Sequence, residues 1–167
     1  LNEISLRDLI ASVGTLDIQG EGDAVMGRDS TYLRAELSIH DCPVQQSLHS
    51  YGTGILPELI NLKTNARADL TAMVDGWYIP AKQSLPQLIA ELVIPETTIR
   101  YEGFEHSGKI ATDIEATTDQ YGKLAIDVQQ LQGELAGLRL QASGFAEDVL
   151  SSDPLIGIDL SAKASLD

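Results

Sequence analysis

Much of what chemistry usually requires is scarce in this chain. A single cysteine, Cys42, stands among 167 residues, so there is no internal disulfide framework and no mark of a redox compartment. Aromatic residues make up 5% of the sequence, too few to supply the stacking platforms of a carbohydrate-binding module. Basic residues are outnumbered 25 to 11 by acidic ones, a net charge of −14. That charge repels phosphate backbones across a Debye length of roughly 8 Å at physiological ionic strength, which argues against nucleic acid as a partner. No apolar run reaches the roughly 18 residues that a membrane-spanning helix needs, and no basic stretch leads into an apolar one. The nucleophile elbow, the phosphate-binding loop and the zinc-helix motif are all missing.

What is present is alternation. Ile156, Ile158, Leu160, Ala162, Ala164 and Leu166 alternate with Gly157, Asp159, Ser161, Lys163, Ser165 and Asp167, a period of two that gives a strand one apolar and one polar face. The same pattern predicts strands at Leu33, Ala35, Leu37 and Ile39, at residues 66–74, at 109–116 led by Ile110 and Ile114, at Leu124, Ile126 and Val128, and at Leu138, Leu140 and Ala142. Tyr121-Gly122 sits at hairpin spacing, so residues 109–129 are expected to form an antiparallel pair. Gly133 and Gly137 read as the turn before the next strand. Near the start, Ser5 with Asp8 three residues on resembles a helix cap, and Gly14 a stop, which predicts a short helix over 5–13. Thr15 to Gln19 reads as a strand, and 20–23 and 27–29 as turns.

Leu56-Pro-Glu-Leu-Ile60 recurs as Leu85-Pro-Gln-Leu-Ile89, suggesting sub-repeats over 56–76 and 85–103 in a stacked architecture. The whole of 1–167 is expected to be one mainly β segment: an elongated, twisted antiparallel meander curled into a groove or half-barrel, with one or two short helices. Because the chain starts at Leu1 without a methionine and stops directly after a strand pattern, both ends read as cuts in a longer protein.

Candidate chemistry is thin. His40 and Cys42 lie two apart, on one face if their strand continues, but no second pair of ligands accompanies them, so no metal site is expected. Asp113, Glu115, Asp127 and Asp159 fall on polar strand faces, where charge keeps a sheet soluble. Trp77 and Tyr78 read as core packing in preference to a sugar platform. No catalytic residue and no cofactor is expected.

In the last third, Lys123-Leu-Ala-Ile-Asp-Val-Gln-Gln-Leu-Gln-Gly-Glu-Leu-Ala-Gly-Leu-Arg-Leu-Gln-Ala-Ser-Gly144, then Asp153-Pro-Leu-Ile-Gly-Ile-Asp-Leu160, resembles the AsmA family. There a strand, a glycine turn, a second strand ending in Ser-Gly and an Asp-Pro step lead into an alternating strand. The resemblance covers residues 85–167. It implies a non-enzymatic periplasmic protein of outer-membrane biogenesis, its parent tethered to the inner membrane by a helix outside this chain. It also implies a β-groove that carries lipid or meets outer-membrane assembly components. The residues expected to line that groove are Leu124, Ile126, Val128, Leu138, Leu140, Ile156, Ile158, Leu160, Ala162 and Ala164. Two alternatives stand beside it: a structural β-sandwich module with a sealed core, and a β-fold glycosidase or carbohydrate-binding domain.

Overall fold

The computed structural model describes residues 2–14, 16–47, 49–50, 61–103, 105–135 and 137–164. They form a single antiparallel sheet of ten strands: β1 Asn2–Val13, β2 Leu16–Met26, β3 Thr31–Pro43, β4 Leu62–Thr64, β5 Arg67–Tyr78, β6 Gln87–Tyr101, β7 Gly108–Thr118, β8 Leu124–Leu135, β9 Leu138–Glu147 and β10 Leu155–Ala164. Neighbours in sequence are neighbours in space, except that β4 and β5 share β6 as their partner. Helix content among the described residues is slight, with α1 at Val44–Ser47 and a 3-10 turn at Pro80–Lys82. The sheet is open, with β1 and β10 as its free edges.

Cross-strand partners share a face, so the register sorts every strand residue. One row runs Ala11, Ile18, Ile39, Leu70, Leu92, Ile114, Val128, Gly144 and Ile158 across nine strands. A neighbouring row runs Leu37, Ala72, Ala90, Ala116, Ile126, Ala146 and Ile156. Among the described strand residues that the register places on this face, none is charged. The opposite face carries the ions, including Asp113, Glu115, Asp127 and Asp159 as their alternation predicts.

Four bulges keep it so. Two residues oppose one at Arg7 and Asp8, at His40 and Asp41, at Pro95 and Glu96, and at Gln129 and Gln130. Each extra residue reverses the strand's parity. The apolar positions follow, stepping by three from Leu6 to Leu9, Ile39 to Cys42, Ile94 to Thr97 and Val128 to Leu131. Asp8 and Asp41 adopt φ of 53° and 54°, a left-handed conformation that a short polar side chain tolerates.

The first bulge explains the main departure from expectation. Residues 5–13 form part of β1, not a helix. The three-residue spacing of Leu6 and Leu9 imitates a helical face, but it is a strand crossing a bulge, and Asp8 is the bulge residue, not a capping acid. Residues 20–23 are also strand and not turn, lying within β2. Gly20 is required there because a Cβ would come within 2.5 Å of Leu37 Cδ2 and 2.8 Å of the Glu36 carbonyl oxygen. Gly133 lies inside β8, leaving only Gly137 (φ 79°) beyond the strand's end.

The expected hairpin over 109–129 is present. Asp119 organises its turn, its carboxylate accepting from the Tyr121 and Lys123 amides at 2.8 and 2.9 Å. Leu85-Pro86 precedes β6 as a strand start, while Leu56 to Ile60 and Leu166 lie outside the described residues.

No second layer covers the sheet among the described residues. Among the described residues, Ala66 and Ala68 alone are buried hydrophobic side chains, each 5% exposed. They sit near α1, whose Gln45 amide satisfies the free edge of β4, donating to the Leu62 carbonyl at 2.9 Å and accepting from the Thr64 amide at 2.7 Å. The accessible surface is 11642 Å², against about 8,000 Å² for a compact protein of this mass.

Candidate apolar groove

Burial along the charge-free face grades from its middle to its edges. Leu70, Leu92, Ile114 and Val128 are half-buried, because neighbours on both sides of a curved sheet shield them. At the outer strands Ile4 is 57%, Ile158 75% and Leu160 70% exposed. Monomeric proteins rarely expose contiguous apolar patches beyond a few hundred square ångströms, and larger ones mark binding surfaces.

The face deepens into a trough of about 560 Å³ where β4 and β6 approach β7 to β10, within the range of about 300–1,000 Å³ typical of ligand sites. Its apolar lining comes chiefly from Leu62, Ile99, Tyr101, Ile110, Leu131 and Leu140, with Ala142 and Leu160. His106, Lys109 and Glu134 also line it. Gly133 and Gly108 leave the trough room that side chains would fill.

All ten residues expected to line a groove share the apolar face by register. Leu124, Ile126 and Val128 are half-buried, and Leu138 and Leu140 are each 39% exposed. Ile156, Ile158, Leu160, Ala162 and Ala164 lie on the outermost strand and are open to solvent. The trough gathers only Leu140 and Leu160 of the ten. Leu62, Ile99, Tyr101, Ile110 and Leu131 escape the sequence reading of the groove. Leu131 and Ile99 follow bulges that shift the apolar parity, so spacing by three within a strand is the signal that locates them.

Among the uncharged polar side chains on this face, such as Thr31, Thr97 and Thr118, Thr112 is the most deeply placed. Thr112 is 8% exposed and stands in the row Ile94, Thr112, Leu131, Ala142 and Leu160. Its Oγ1 is buried without a hydrogen-bond partner among the described residues, an arrangement that costs stability.

The polar face is built differently. Glu91, Glu115 and Asp127 stand directly opposite one another on β6, β7 and β8. A hydrophilic depression of about 460 Å³ lies beside Lys109 and Arg139, both ion-paired, to Glu96 at 2.9 Å and Glu134 at 3.2 Å. Glu96 holds the Lys109 pKa above its ordinary value, chiefly through that hydrogen bond. Tyr32 donates to Asp75 at 2.6 Å, which raises the phenol's pKa.

Trp77 belongs to this polar face and not to a core. It is 48% exposed, and its ring meets Tyr32 at a centroid distance of 5.4 Å. Tyr78 is 41% exposed. His40 and Cys42 are separated by the β3 bulge: His40 Nδ1 lies 3.4 Å from Asp69, while Cys42 Sγ meets Ser47 Oγ at 3.2 Å. Among the described residues, no group of three or more His, Cys, Asp and Glu side chains is placed to hold a metal ion.

Comparison with family models, with curated proteins and with solved structures finds no match to this chain.

Proposed function

We propose that this chain is a lipid-carrying segment of an AsmA-like protein of outer-membrane biogenesis, its apolar face cradling acyl chains. The observation that supports this most is the charge-free face that runs across nine strands with no protein layer over it among the described residues. Such a face in water needs an occupant, and the chemistry of this one suits a hydrocarbon. Exposing an acyl chain of about sixteen carbons costs roughly 12 kcal/mol at about 0.8 kcal/mol per methylene, and a trough lined by Leu131, Leu140 and Ile110 removes much of that cost. The open side leaves a headgroup in water. On this reading the work is transfer without bond-making, in the periplasm, with the parent held at the inner membrane.

Native mass spectrometry of gently purified protein tests it. Co-purifying lipid, released on unfolding, is the expected result. A chain that emerges free of lipid and stays free after incubation with phospholipid vesicles would overturn the proposal.

A further inference from the structure

Trp77 stands where an aromatic side chain serves neither a core nor solubility. It lies on the polar face of a middle strand and is 48% exposed, although so large an apolar side chain is usually spent on burial. Tyr32 is directly opposite on β3, the two rings meeting at a centroid distance of 5.4 Å and an angle of 57°. The next row on the same face, two residues along each strand and so about 7 Å away, runs Arg34, Asp75 and Gln87. Three planar polar groups thus adjoin an aromatic pair.

Those polar groups are open. Tyr32 Oη donates to Asp75 Oδ1 at 2.6 Å, which holds the carboxylate beside the rings and leaves its second oxygen to accept. Arg34 has an aspartate opposite it on each side, Asp23 on β2 and Asp75 on β5. Yet among the described residues its guanidinium is bonded to neither, and the Gln87 amide and the Trp77 indole nitrogen donate to no partner.

We propose that this corner of the polar face binds a neutral pyranose unit of a glycan. A pyranose ring is apolar on its C–H faces and polar around its rim, so it needs an aromatic surface flanked by free donors and acceptors. Trp77 and Tyr32 supply the surface. Asp75 accepts from the ring hydroxyls, and Arg34, Gln87 and the indole nitrogen donate to them. Charge narrows the ligand class. Asp75 and Asp23 disfavour a carboxylated sugar, Arg34 disfavours a quaternary ammonium, the other common guest of paired aromatics, and a net charge of −14 repels the phosphates of a nucleotide. One aromatic pair makes one subsite, not the extended platform that a chain with 5% aromatic residues cannot build. Beyond Arg34 a depression of about 260 Å³, lined also by Arg7, Asp23 and Glu36, offers room for a neighbouring unit. The site lies on the face opposite the trough and makes no use of a bound acyl chain, so it stands or falls apart from the proposed function.

Trp77 is the sole tryptophan of the chain, so its emission reports on this site alone. The test is titration with maltotetraose, cellotetraose, chitotetraose and methyl glucoside at millimolar concentrations. At least one sugar is expected to shift the emission to the blue, to shield Trp77 from acrylamide, and to show saturation transfer from the protein in ligand-observed NMR. Binding by the tetraoses alone assigns a stretch of glycan; binding by methyl glucoside as well assigns a single terminal ring. Arg34→Ala should weaken the emission titration about tenfold, through the loss of charge-assisted hydrogen bonds. Trp77→Ala should abolish saturation transfer, while Trp77→Tyr keeps part of it, each variant being checked for folding by circular dichroism. Absence of an emission shift and of saturation transfer with all four sugars overturns the proposal. So does binding that survives undiminished in folded Trp77→Ala or in folded Arg34→Ala.

Discussion

The two faces of the sheet come from the same strands and the same hydrogen bonds, yet they solve opposite problems. The polar face spends its side chains on ion pairs such as Arg7 with Asp23 at 3.2 Å and Lys109 with Glu96 at 2.9 Å. Such exposed pairs contribute little to stability. Among the described residues the apolar face carries no ion by register and has no second layer over it, so its contacts are chiefly those between neighbouring strands. Stability among the described residues is therefore lateral, strand to strand.

Charge placed on the two faces should separate them most. Leu92→Asp, in the row between Leu70 and Ile114, is expected to cost about 3 kcal/mol or more by leaving a partly buried carboxylate among apolar neighbours. Thr98→Glu, opposite Lys109 on the other face, should change stability by no more than about 0.5 kcal/mol. Urea unfolding reads both.

Filling the trough sharpens the contrast between groove and core. Ala142→Phe should weaken acyl-chain binding about tenfold while stability holds within about 0.5 kcal/mol, whereas a sealed core would lose about 1–3 kcal/mol to overpacking. Fluorescent fatty-acid titration and urea unfolding on the same sample distinguish these. A smaller effect of opposite sign is expected at Thr112, where Thr112→Val removes an unpartnered buried hydroxyl and should raise stability by about 1 kcal/mol. Smallest is Glu115→Gln on the polar face. It relieves repulsion from Glu91 and Asp127 and should add a few tenths of a kcal/mol, an advantage that fades as salt is added.

Strands with clean alternation were legible from the sequence, as β3, β5, β7, β8 and β10 show. So was the hairpin at Asp119 to Lys123, because a turn and two alternating flanks are local signals. The shared face of the ten groove residues was legible too, since parity within a strand decides it. What escaped was every feature created by a bulge or by tertiary crowding. Ser5 and Asp8 imitated a helix cap, although Asp8 is a residue of the bulge in β1. Gly20 looked like a turn, yet its role is to make room for Leu37 on the adjacent strand, a contact no local pattern announces. The trough lay hidden for the same reason: Leu62 belongs to a three-residue strand too short to show a period, and Ile99 and Leu131 follow shifts of parity.

The most direct test uses two neighbouring residues that point to opposite faces. A fluorophore is attached to Leu140→Cys or to Gln141→Cys in a Cys42→Ala chain, and a lipid bearing a nitroxide on its acyl chain is added. The account predicts strong quenching at 140 and little at 141. Equal quenching at both positions, or none at 140, would contradict it.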